Sequence, residues 1–287
     1  LSYQRGGAGY QKPLTDKPSS GQRDIGTILH ACMDAYYQGL DYRVVLADAQ
    51  ETLRQQLGEN LPKEWLDVFN LVGIMMSGYI QWIANEYGDV GETTLYTEKE
   101  IVVPIGQLHG DDVVLTCTID RIIQNNLSGD VIIEDTKTVA TFTDYVQQLQ
   151  VDDQGLMYAI MAKGGLGLPV HRFRHNMLRK VKRTAAAVPP FYMRHEVYYS
   201  EEQLDNAWTH MVAILSRMVL ALQSVELDEE QHHAFLYPNP TRDCTWRCDF
   251  LPICPMMDDG SYWQDMVDSS GLYLPRPSRP LQDRASA

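Results

Sequence analysis

A chain of 287 residues, 44% hydrophobic and 22% charged, is long enough to bury a substantial core and has the composition of an ordinary globular protein. Its formal net charge of -14 excludes indiscriminate attraction to a polyanion, so any nucleic-acid contact has to be confined to a local basic surface. No apolar run reads as a membrane span and the start does not read as a signal peptide, which makes a cytoplasmic location and no membrane partner the expectation. Five cysteines, three of them crowded near the end, point away from a disulfide framework and toward reduced thiols or a metal site.

Residues 1–22 are rich in Gly, Ser, Pro and Lys, lack periodicity and predict an irregular arm that begins at Leu1 rather than at Met, which leaves room for a start further upstream or for removal of the start by processing. Asp24 can cap a helix reaching about Gln38, with Ile25, Leu29, Cys32 and Tyr36 on one apolar stripe. At about 100° per residue His30 projects roughly 160° away from Cys32, so the two cannot serve one site. Residues 46–57 and 62–87 are helical by period, the second apolar enough for a core helix. A strand over 92–105 carries Glu100, which reads as solvated. The next strand, 113–123, alternates apolar and polar residues and places Asp120 near its end.

The connection QNNLSGD holds turn residues and leads into Val131–Lys137, VIIEDTK, so the two strands form an antiparallel hairpin that brings Asp120 beside Asp135. Val131, Ile132 and Ile133 suit a strand buried on both faces; beyond them, alternation sends Asp135 and Lys137 to one side and Glu134 and Thr136 to the other. A carboxylate and an ammonium at the end of a buried strand are costly to desolvate unless each has a partner, and a divalent metal with a phosphate supplies both.

Residues 143–162 predict one helix on which Gln154 and Tyr158 share a face. After the Gly-rich turn 163–169, a strand over 171–181 opens a basic stretch, Arg172, Arg174, Arg179, Lys180, Lys182 and Arg183, with no acid in it. Either this stripe lines a channel for a polyanionic substrate or it blunts an exposed sheet edge. Residues 189–200 extend the sheet, and 201–225 form an amphipathic helix with Leu204, Trp208, Met211, Leu215, Met218 and Leu222 as its core stripe. Cys244, Cys248 and Cys254, close together among aromatic residues and prolines, demand a soft metal centre. The tail from Ser269 is Pro-rich and reads as extended or disordered. The element order predicts an α/β fold, a central mixed sheet flanked by helices. Its parts are an arm (1–22), a core (23–230), a Cys-rich segment (231–268) and a tail (269–287).

The ordered set Gly26-Thr27-x-x-His30, Asp120, Asp135-x-Lys137 and Gln154-x-x-x-Tyr158 resembles the PD-(D/E)XK nucleases. More narrowly it resembles their RecB-like branch, which includes the CRISPR-associated and helicase-associated exonucleases that carry an iron-sulfur cluster. The similarity runs from about Gly26 to Cys254. It implies a restriction-endonuclease-like core in which His30, Asp120, Asp135 and the Thr136 carbonyl hold Mg²⁺ or Mn²⁺. Lys137 would then orient the attacking water or meet developing charge, with Gln154 and Tyr158 near the metal and the incoming strand. It implies a DNA exonuclease acting on single-stranded ends in recombination, repair or processing, with a helicase or another recombination protein as a partner. Cys244, Cys248 and Cys254 resemble the trailing trio of a 4Fe-4S site, although the usual first spacing is two residues rather than three. No cysteine precedes Cys32 here. The fourth ligand is therefore a residue upstream of Leu1, or Cys32, or the site is a zinc site completed by His232 or His233. Two other classes stay open. One is a DNA-binding accessory subunit that has lost catalysis, which the presence of both acids and the lysine opposes. The other is a zinc-knuckle scaffold, which leaves Asp120, Asp135 and Lys137 unexplained.

Overall fold

The computed structural model of the chain describes residues 10–11, 22–85, 88–149, 152–227, 241, 244–248, 250–257, 259–262, 267 and 273–275. The chain divides into two compact units, one of Ser19–Gln107 with Asp112–Ala213, the other of Leu1–Pro18, Leu108–Asp111 and Ile214–Ala287. In chain order the elements are β1 (Tyr10–Gln11), α1 (Gln22–Tyr37), α2 (Tyr42–Leu57), α3 (Lys63–Asn85), β2 (Glu92–Leu108), β3 (Asp111–Asn125) and β4 (Val131–Val139). There follow α4 (Phe142–Gln148), α5 (Gln154–Leu166), β5 (Val170–Arg179), β6 (Tyr192–Tyr198), α6 (Glu201–Leu227), α7 (Cys244–Arg247) and β7 (Leu274–Pro275).

The larger unit is built on a sheet of order β2-β3-β4-β5-β6. β3 and β4 run antiparallel as the hairpin signal predicts, and in the turn Asn125 Oδ1 accepts the Leu127 and Ser128 N–H groups while Gly129 takes a left-handed φ of 77°. β4 and β5 are parallel, joined by a crossover through α4 and α5, and β6 is antiparallel to β5, so the sheet is mixed. On one face Leu29, Cys32 and Met33 of α1 meet Leu71, Val72, Met75, Met76, Tyr79 and Ile83 of α3, over Leu178 and Tyr192. On the other, Val139, Phe142 and Met177 pack with Tyr145 and Val146.

Several sequence expectations need correction. α1 begins at Gln22, so Asp24 lies inside the helix instead of capping it. The predicted single helix over 143–162 is two, α4 and α5; the break falls before Gln154, whose N–H is held by Asp152 Oδ1, and it makes Gln154 the first residue of α5. The arm and the tail are not wholly irregular, because Tyr10 and Gln11 pair with Pro275 and Leu274. By length and composition α3 could cross a membrane, contrary to the sequence expectation; nine of its 23 residues are buried, among them Val72, Met75, Met76 and Tyr79 in the core described above. Finally, β5 lies inside the sheet, so its arginines do not protect an edge.

Those arginines do something else. Glu134, 1% exposed, is within ion-pair distance of Arg121 (3.0 Å), Arg174 (3.3 Å) and Arg194 (3.3 Å). Arg174 forks onto Glu92 at 2.6 and 2.9 Å and reaches Glu196 at 2.9 Å. Arg172 joins Glu196 at 2.6 Å, and Arg194 joins Asp89 at 2.6 Å. The Arg121 guanidinium also lies on the Tyr37 ring, 3.5 Å from its centroid. Four arginines and four acids thus neutralise one another on the sheet face opposite Asp135, and bidentate geometry offsets their desolvation. Burial alone would raise the Glu134 carboxyl, but Arg194, Arg121 and Arg174 hold it below its ordinary value. Glu134→Ala strands three cations and should cost about 3–5 kcal/mol of stability in urea unfolding; a loss under about 1 kcal/mol would mean that the network does not hold the sheet together.

Candidate active site

The hairpin register sets Arg121 opposite Glu134, and Asp120, one residue earlier, accepts the Thr136 N–H through Oδ2 at 2.7 Å. His30 Nδ1, from α1, lies 3.3 Å from the same oxygen. Glu98 completes the group: its carboxylate, His30 and Asp120 offer ligand atoms all within 4.8 Å of one another. Glu98 holds a left-handed φ of 43°, an uncommon conformation for a residue with a side chain and one that tends to mark functional sites.

Asp135 is the buried member, 1% exposed. Lys137 Nζ donates to its Oδ1 at 3.0 Å, and Gln154 Nε2 donates to the same oxygen at 3.1 Å. Gln154 Nε2 also donates to Tyr158 Oη at 3.0 Å, so the i, i+4 pair shares one helix face. Gly155 lets α5 begin this close to the sheet: a Cβ there would collide with the Tyr199 hydroxyl and lie 3.0 Å from the Phe173 ring. His175 is opposite Asp135 in the β4–β5 pairing; it is buried, and its ring is edge-on to Phe173.

Electrostatics mark the site as one lacking positive charge. Burial, together with the nearby Asp120, pushes Asp135 up to about 6 against the pull of Lys137. Glu98 is raised by burial and then by Asp120. Burial would lower the His30 imidazole, but its hydrogen bond to Asp120 and the charges of Asp120, Asp135 and Glu98 raise it. Burial drives Tyr158 up to about 12, so it remains a phenol, and drives His175 down to about 4, so it remains neutral. The donors suit a hard divalent cation: two carboxylates and an imidazole together, and a third carboxylate whose buried Oδ2 lies 2.8 Å from Lys137 Nζ outside hydrogen-bond geometry.

His30, Asp120, Asp135, Thr136, Lys137, Gln154 and Tyr158 therefore meet as the motif order predicts. Glu98 was missed, since the acid noted on that strand was Glu100, which is exposed. Alternation along a strand does not foretell a residue turned by positive φ. The basic stripe is divided. Arg174, 1% exposed, and Arg172 are committed to the ion network and are corrected from DNA-binding to structural residues. Arg179 bonds the Val188 and Pro190 carbonyls, Arg183 the Val181 carbonyl and Tyr192 hydroxyl, and Lys182 pairs with Asp67; Lys180 is half-buried.

In the other unit the thiols of Cys244, Cys248 and Cys254 are half-buried, and Cys244 Sγ accepts the Thr241 N–H at 3.3 Å. Cys32 is fully buried against Leu29, Met33 and the α3 side chains, with Sγ directed at the Tyr42 carbonyl 3.8 Å away. It is corrected from a candidate cluster ligand to a core residue. His232 and His233 lie outside the described residues.

The mixed sheet with helices on both faces, carrying an Asp-x-Lys strand beside a second acid, is the architecture of a metal-dependent phosphodiesterase of the restriction-endonuclease type. The family model of the PD-(D/E)XK nuclease superfamily matches residues 2–255, and the chain belongs to that superfamily. Among solved structures, it aligns with a candidate exonuclease from Eubacterium rectale at a TM-score of 0.44 and 17% identity, covering 82% of this chain and 81% of that one. It also aligns with an alkaline exonuclease from Laribacter hongkongensis at a TM-score of 0.33 and 10% identity, covering 74% and 99%. No curated protein matches.

With Asp135 at about 6 in the folded chain and near 3.9 when exposed, folding favours its protonated form. The group thus removes stability as pH rises from about 4 through 6. Asp135→Asn should stabilise the metal-free protein at pH 7.5 by about 1–3 kcal/mol, with the gain fading toward pH 4. Paired urea melts at the two pH values measure this; a destabilised variant at pH 7.5 would show that the ionised carboxylate supports the fold.

Proposed function

We propose that this nuclease is a Mg²⁺- or Mn²⁺-dependent deoxyribonuclease that digests DNA from single-stranded ends, in a process such as recombination or repair in which a helicase supplies the strand. The supporting observation is the convergence of Asp120, Asp135 and Lys137 with His30 and Glu98 at the end of one hairpin. His30, Glu98, Asp120, Asp135 and the Thr136 carbonyl would hold the metal. When bound, a divalent cation lowers the pKa of a coordinated water and neutralises charge on the phosphoryl oxygens.

The chain's own groups supply the rest. Lys137, fixed by Asp135, directs its ammonium toward the attacking water or the phosphate oxygen on which charge develops. Gln154 holds Asp135 in place, and in doing so links it to Tyr158. Tyr158, a phenol at any working pH, can donate to a phosphate of the strand. Water attack on phosphorus breaks the phosphodiester bond and needs no redox partner.

We also propose that Cys244, Cys248 and Cys254 carry a 4Fe-4S cluster in a reducing cytoplasm. The thiols are brought round by successive turns, Leu251 N–H to the Cys248 carbonyl and Cys254 N–H to the Phe250 carbonyl, and the Cys244 sulfur is held by the Thr241 N–H.

End-labelled single and double strands incubated with Mg²⁺, Mn²⁺ or EDTA should show metal-dependent shortening, faster on single strands. Asp120→Asn and Lys137→Ala should lower the rate by about 100-fold or more with folding retained. Undiminished cleavage by either would remove that residue from the site. Anaerobically purified protein should contain iron and acid-labile sulfide; stoichiometric zinc without sulfide would replace the cluster by a zinc site and leave the nuclease untouched.

A further inference from the structure

Away from the Asp135 face, α3 and the β5–β6 connection enclose an open groove of about 1050 Å³. Asn70, Gln81 and Asn85 line it from α3, all exposed, and the aromatic rings of Trp82 and Phe191 are half-buried in its wall. No lining residue is an acid, so the groove departs from the negative average of a chain of net charge -14. The Arg183 guanidinium lies over the Phe191 ring, 3.7 Å from its centroid, and is half-buried in the groove wall. Arg179 and Arg183 spend their N–H groups on carbonyl and hydroxyl oxygens and, among the described residues, form no ion pair with a carboxylate. Their charge is therefore uncompensated, whereas that of Arg172 and Arg174 is consumed by Glu196, Glu92 and Glu134.

We propose that this groove is a second, non-catalytic binding site for an unpaired DNA strand. Its parts match what such a strand offers. A cation without acids beside it meets phosphate, aromatic rings stack bases, and exposed amides accept and donate along base edges. Phe69, Ile74, Pro189 and Pro190 add apolar wall between the exposed amides, so a peptide bound through an apolar anchor is the competing occupant, and it would not respond selectively to a single strand. Register puts the groove at the Lys137 end of the sheet, because Tyr192 in its wall pairs with Leu178, and Leu178 pairs with Thr138, the residue after Lys137. The inference rests on the nuclease reading for its choice of ligand, but the binding it describes does not require cleavage.

The test substitutes Asn70→Asp, Gln81→Glu and Asn85→Asp together, changing charge at three exposed positions with almost no change of volume. Fluorescence anisotropy with a labelled oligo-dT of about 30 nucleotides in EDTA should show affinity falling by about tenfold or more, with a smaller fall for a blunt duplex of equal length. Mn²⁺-dependent hydrolysis of bis(p-nitrophenyl) phosphate, which needs only the metal site, should be unchanged by the triple variant. Unaltered oligo-dT affinity would overturn the proposal, as would a wild type that does not bind oligo-dT, or an equal loss on duplex. A wild type that binds through the groove yet hydrolyses nothing would support it and count against the catalytic reading alone.

Discussion

Two adjacent carboxylates on β4, Glu134 and Asp135, each 1% exposed, are treated in opposite ways, and the structure of the sheet unit depends on that difference. Strand alternation sends them to opposite faces. Glu134 meets three guanidinium groups and is held ionised; Asp135 meets one ammonium, an amide and further acids, and is pushed toward its neutral form. One carboxylate is neutralised by the protein. The other is left short of positive charge, which is the condition under which a divalent cation binds.

The shortage has a structural cost, visible as the raised Asp135 and Glu98 carboxyls and the left-handed backbone at Glu98. A strand end cannot carry such repulsion unless something fixes it, and the opposite face does so: Arg174 joins β5 to β2 through Glu92, to β4 through Glu134 and to β6 through Glu196. Asp120 adds a second restraint by accepting the N–H of Thr136, which lies between Asp135 and Lys137 on β4. The active-site strand is therefore held by main-chain pairing, by ion pairs behind it and by a carboxylate beside it, which preorganises Asp135 and Lys137 before any ligand arrives.

Most of the site was legible because its residues obey local periods. Asp120, Asp135 and Lys137 follow the two-residue repeat of strands, and Gln154, Tyr158 and His30 the helical repeat, so motif spacing translated directly into shared faces. Two kinds of feature were not legible. Glu98 depends on a backbone exception that no pattern signals. Arg172 and Arg174 looked like a free positive stripe because their neighbours in sequence include no acid, whereas Arg174 finds its partners 82, 40 and 22 residues away on three other strands. Charge along a strand indicates a surface only when the strands beside it are known. The fold class was accessible for a related reason: hairpin turn chemistry and a crossover of helical length between β4 and β5 leave few topologies, while the break between α4 and α5 turns on a local bond between Asp152 and Gln154 that helical periodicity overlooks.

The central claim is that the charge deficit around Asp135 is a metal site. Diffraction from crystals soaked in Mn²⁺, with anomalous differences recorded near the manganese edge, locates the ion without reference to activity. The strongest anomalous peak should lie among the side chains of His30, Glu98, Asp120 and Asp135. A fully soaked crystal with no peak there, or with its manganese bound at other residues, would contradict it.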